Sequence, residues 1–75
     1  MLIGLGSVRG TKFSLDATRE TDTKWWGTIV RWNEKKWIPV YTWDLPFANY
    51  DSLIDIAKGV LFTRGKELVD VTLTK

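Results

Sequence analysis

Apolar and polar residues alternate along Lys12-Phe13-Ser14-Leu15-Asp16-Ala17, the period-two pattern of a half-buried strand. Ahead of it, Leu2 to Val8 is apolar but interrupted by Gly4 and Gly6, and Arg9-Gly10-Thr11 reads as a turn. Thr18 to Thr23 is polar throughout and predicts a loop. Trp25 to Trp32 and Trp37 to Trp43 are β-branched and aromatic runs, separated by Asn33-Glu34-Lys35-Lys36. Two such runs around a short polar spacer predict a β-hairpin. Neither Asn-Gly nor Asp-Gly is present, so a four-residue loop built on a type I turn is expected over a tight primed turn.

The loop length fixes which side chains share a face, because a slip of one residue turns every side chain over. A four-residue loop pairs Trp32 with Trp37, Val30 with Pro39, Thr28 with Tyr41 and Trp26 with Trp43, all on one face. The opposite face then carries Trp25, Ile29, Ile38 and Val40. A three-residue loop with a bulge shifts the partners by one. Trp26, Val30 and Trp32 then join Ile38 and Val40, while Trp25 and Ile29 join Trp37, Tyr41 and Trp43. Pro39 lacks a backbone donor, which points to an edge strand or a bulge at that position.

Asp44-Leu45-Pro46-Phe47 reads as a turn. Asn49 is a suitable N-cap, and Asp51 in the first turn complements the helix dipole. Tyr50, Leu53, Ile54, Ala57 and Leu61 recur at helical spacing. They predict a helix over 50–63 with Gly65 as its C′ residue. Gly59 weakens that helix and suggests close packing on the sheet. Val69, Val71 and Leu73 alternate with Asp70 and Thr72, which predicts a final strand over 67–74. The fold class is therefore α+β: a small antiparallel sheet of four to five strands, in the order β-β-β-β-α-β, with one helix packed on one face. Residues 1–75 form a single domain.

Size sharpens this reading. A chain of 75 residues buries only about 60% of the surface its unfolded form exposes. Small domains compensate with disulfides, a metal or a partner subunit. Cysteine and histidine are both absent, which removes disulfides, thiolate sites and ordinary zinc sites. What remains is dense aromatic packing and oligomerisation. All five tryptophans, Trp25, Trp26, Trp32, Trp37 and Trp43, fall in one quarter of the chain. Such a cluster is either an oversized core or a recognition surface.

The overall charge is +2, and residues 24–43 carry four basic side chains against one acidic one. The aromatic hairpin is thus also the basic region. An excess of this size permits contact with nucleic acid or acidic surfaces without demanding it. No stretch approaches the roughly 18 apolar residues of a membrane span. The opening residues are too short an apolar run, and lack the basic flank, for a signal peptide. A cytoplasmic protein that contacts no membrane is expected.

Few residues suggest chemistry. Gly4, Gly6 and Gly10 have the wrong spacing for a dinucleotide fingerprint, and a strand pattern follows where a helix is needed. Asp16, Glu20 and Asp22 match no cation-binding loop. Asp51 and Asp55 are helix neighbours whose simplest place is the solvated face. No histidine or cysteine is present to activate a serine. No enzyme activity, cofactor or metal is expected. The expected function is protein binding, to a partner or to itself as a dimer, through the Trp-rich hairpin or a sheet edge. Trp26, Arg31, Trp32, Lys35, Lys36, Trp37, Tyr41 and Trp43 are the candidate partner-binding residues, since Trp, Tyr and Arg dominate interface hot spots. The alternative is a single-stranded nucleic-acid binder that stacks bases on tryptophan beside lysine and arginine. Small stand-alone chains of this kind are common among phage and mobile-element accessory proteins.

Overall fold

The structure, a computed structural model, describes residues 1–71. Four strands run in chain order: β1 Leu2–Val8, β2 Thr11–Thr21, β3 Lys24–Trp32 and β4 Trp37–Thr42. They form one antiparallel sheet in which every strand neighbours its predecessor, so β1 and β4 are the edges. One helix, α1 Tyr50–Leu68, follows and covers one face. The α+β class, the four strands and the single helix agree with the sequence pattern.

Three boundaries differ from it. Strand β2 continues through the polar stretch to Thr21, with Thr18 opposite Trp26 and Arg19 opposite Trp25. Tertiary pairing with the start of β3 overrides a polar composition here, and threonine suits a strand whose outer face is wet. The helix runs through Gly65 to Leu68 rather than ending at 63. The final strand does not begin at Glu67: Glu67 and Leu68 close the helix, Val69 is its C-cap and Asp70 lies in the turn that follows. The remainder of that predicted strand, from Thr72 onward, lies outside the described residues.

Alternation along the strands divides the sheet cleanly. Phe13, Leu15 and Ala17 of β2 and Ile29 of β3 point at the helix and are fully buried. Helix residues Leu53, Ala57, Leu61, Gly65 and Leu68 are buried against them, on the stripe that helical spacing anticipates. Asn49 caps the helix, its side-chain oxygen accepting from the Ser52 backbone N–H at 2.8 Å. That bond satisfies one of the otherwise orphaned first-turn donors.

Two glycines allow the helix to lie close to the sheet. A side chain on Gly27 of β3 would meet the Leu53 side chain at 2.5 Å. A side chain on Gly65 would meet Val8 at 2.8 Å. Gly59, where close packing was expected, faces open space. Gly65 is therefore a contact residue and not a helix terminator.

The hairpin register combines both anticipated arrangements. Near the loop Trp32 pairs with Trp37 and Val30 with Pro39, as a four-residue loop requires. A bulge then places Val40 as an extra residue, and Ile29 pairs with Tyr41 and Thr28 with Thr42. The bulge follows Pro39 on an edge strand, where a missing donor is tolerated. Past β4 the chain turns back, and Phe47 exchanges two backbone hydrogen bonds with Trp25, at 2.7 and 2.8 Å.

Candidate functional site: the open face of the sheet

The face of the sheet opposite α1 has no element packed on it among the described residues. Strand β2 gives it Lys12, Ser14, Asp16 and Thr18, β3 gives Trp26, Thr28, Val30 and Trp32, and β4 gives Trp37 and Pro39. Trp32 and Trp37 meet edge to face across the strands with ring centroids 5.2 Å apart. Trp32 is 38% exposed, while Trp26, Trp37 and Pro39 are half-buried. Val30 and Ser14, opposite each other in the middle of this face, are buried although no layer covers them. The face thus has a dry centre flanked by tryptophan.

Charged side chains border this face at both ends. Lys12, Trp32 and Trp37 line a shallow pocket of about 330 Å³ at the hairpin-loop end. Lys35 and Lys36 are exposed in the adjoining loop, with Glu34 between them and Asn33. At the far end Glu20 accepts a hydrogen bond from the Trp26 indole N–H at 2.7 Å. Between the two ends, Asp16 forms an ion pair with the N-terminal ammonium of Met1 at 3.4 Å. The loop end of the open face is basic, and the far end carries Glu20 beside Lys24.

The bulge at Val40 corrects the placement of two candidate residues. Tyr41 and Trp43, which a uniform four-residue-loop register puts on the same face as Trp32, lie on the helix side. Tyr41 meets Trp43 at 5.1 Å, and Trp43 meets Phe47 at 5.5 Å, both edge to face. Arg64 of the helix sits over the Tyr41 ring. Trp25 packs on Tyr50 at 5.2 Å. Arg31 also alternates to the helix side, where its Nε–H donates to the Val71 carbonyl at 3.2 Å. Of the eight candidates, the open face brings together Trp26, Trp32 and Trp37, with Lys35 and Lys36 at its border. Arg31, Tyr41 and Trp43 stand on the other side and serve the helix-side packing.

Lys12 and Glu20 belong to the open face and were not among the candidate partner-binding residues. Their signal was the polar alternation Lys12, Ser14, Asp16, Thr18, continued by Glu20 across a small bulge before Thr21. The acids weighed as a cation site are parted: Asp22 pairs with Arg19, Glu20 with Trp26, and Asp16 with Met1. Asp51 and Asp55 are both exposed on the helix. Gly4 and Gly6 lie within β1 and Gly10 in the turn before β2, so a strand and no helix follows the glycines. Among the described residues no helix is long and apolar enough to cross a membrane.

A second concavity, of about 650 Å³, lies between β1 and α1, lined by Leu5, Val8, Lys58 and Phe62 among others. Phe62 is 91% exposed at its rim. Comparison with known proteins returns no matching family, no matching curated protein and no matching solved structure.

Proposed function

We propose that this chain is a small, non-catalytic interaction protein that binds protein, another chain or its own copy, through the open face of its sheet. The observation that carries the reading is the Trp32–Trp37 pair beside a dry apolar centre, on a sheet face with no second layer among the described residues. A half-covered sheet with bulky aromatics on its bare side gains by burying them against a partner surface. The size of the chain adds to this, since small cores without disulfides or metal often rely on association. The protein works in the cytoplasm, free of cofactor and metal.

The test is sedimentation equilibrium of the parent chain and of Trp32→Ala/Trp37→Ala. Association in the parent that is lost in the variant, with both still folded, supports the reading. Association that survives the double substitution overturns it.

A second reading is favoured by one observation. Lys12 lies against the Trp32–Trp37 pair, which sets an ammonium beside stacking surfaces, as single-stranded nucleic acid requires. Fluorescence anisotropy with a labelled oligothymidine decides between them. Binding that weakens steeply with salt points to nucleic acid.

A further inference from the structure

We propose that the occupant of the open face is a second copy of this chain, stacked sheet on sheet about a two-fold axis that crosses the strands beside Thr28. The inference rests on the open-face reading above and names its partner and geometry.

A two-fold axis that turns one face onto its copy must lie in the plane between them. Two directions respect the sheet. An axis along the strands leaves the hairpin-loop ends together, so Lys12, Lys35 and Lys36 of one copy crowd those of the other. Like charges brought together oppose association. An axis across the strands keeps each strand over its own copy and reverses the ends. With Thr28 and its partner Asp16 on the axis, Lys12 and Glu20 are each four residues away on β2, in opposite directions. Lys12 of each copy then lies over Glu20 of the other, twice per dimer. On β3 Val30 lies over Trp26, and Trp32 lies over Lys24.

The details suit that arrangement. Lys12 and Glu20 are both exposed. Glu20 binds the Trp26 indole N–H, and a carboxylate has further lone pairs for a partner ammonium. Asp16, which meets its own copy near the axis, already has the Met1 ammonium beside it. Stacked sheets stay within about 30° of alignment at a spacing of about 10 Å. Long side chains at the ends can follow that rotation, whereas the short ones lie near the axis. Four strands by eight residues give a footprint of about 500 Å² per copy. That is the low end for specific association, so a weak, reversible dimer is expected.

Charge exchange tests the geometry. Lys12→Glu alone, or Glu20→Lys alone, sets like charges opposite each other at both ends. Each should raise the dimer Kd at least about ten-fold in sedimentation equilibrium. Mixed in equal amounts, the two variants restore opposite charges at both ends. Their heterodimer should bind within about three-fold of the parent. Circular dichroism melts confirm that each variant is folded, and Glu20→Gln, which keeps an acceptor for Trp26, separates loss of charge from loss of that hydrogen bond. Singles as tight as the parent, or a mixture no tighter than the singles, overturn the proposed axis. If Trp32→Ala/Trp37→Ala still abolishes association in that case, the open-face reading stands without it. A parent chain that stays monomeric at about 300 µM overturns the second copy as occupant.

Discussion

Leu53 of the helix lies directly on Gly27 of the central strand β3, so close that a Cβ at position 27 would come within 2.5 Å of the Leu53 side chain. It would also meet Leu15 at 3.2 Å. Leu53 and Leu15 are both fully buried, so neither has room to move aside. Gly27→Ala should therefore destabilise the protein by about 1–3 kcal/mol, despite alanine's better strand propensity. Denaturant melts check this. In a double-mutant cycle with Leu53→Ala the two losses should be less than additive, because the smaller residue removes the clash.

The helix contains an internal comparison of the same kind. Gly65 touches Val8 and Gly59 touches nothing. Gly59→Ala should raise stability by about 1 kcal/mol, the difference in helix propensity. Gly65→Ala gains the same propensity but drives a methyl into a branched side chain on β1, and should lower stability by about 1–2 kcal/mol. Equal signs for the two substitutions would count against the helix position.

Neighbours on the helix give a further contrast. Leu61 is 7% exposed and Phe62 is 91% exposed. Leu61→Ala should cost about 2–5 kcal/mol. Phe62→Ala should change stability by less than about 0.5 kcal/mol. A large loss at Phe62 would mean that the groove beside β1 is filled in solution.

Turn chemistry offers a gain. Val8 pairs with Thr11 around a two-residue turn in which Arg9 has φ 51 and Gly10 has φ 81. Positive φ at both central positions is the type I′ geometry, which favours Asn-Gly. Arg9→Asn should raise stability by about 0.5–1 kcal/mol, read as a shift of the denaturant midpoint at constant slope.

Much of the architecture was legible in the residues. The hairpin, its four-residue loop, the Asn49 cap and the Leu53-Ala57-Leu61 stripe all follow from local pattern. The rest depended on contacts between elements. Gly65 resembles a terminator until Val8 is seen against it, and Thr18 to Thr21 resembles a loop until Trp25 and Trp26 are paired with it. The Val40 bulge was foreshadowed by Pro39, yet neither uniform register put Trp32 and Trp37 together on one face with Tyr41 on the other. That single extra residue decides that Tyr41 and Trp43 flank the core beside Trp25, apart from the surface of Trp26, Trp32 and Trp37.

This division makes the tryptophans separable by experiment. Trp43 is held between Tyr41 and Phe47 and packs against the buried core. Trp43→Ala should therefore cost about 3 kcal/mol or more of folding stability. Trp32 and Trp37 touch each other on the bare face. Replacing either removes an edge-to-face pair, for which about 0.5–1.5 kcal/mol of monomer stability is expected. Their larger effect should fall on association, weakened by about 2 kcal/mol or more for each. Trp26 stands apart, because its indole N–H is tied to Glu20, and Trp26→Phe should disturb association while the monomer stays folded. Denaturant melts run beside sedimentation equilibrium read both quantities on each variant. If Trp32→Ala unfolds the chain as Trp43→Ala does, the open face is part of the core and no recognition surface exists there. If Trp32→Ala leaves both stability and association unchanged, the partner docks elsewhere, and the outer edge of β1 beside Phe62 becomes the next surface to test.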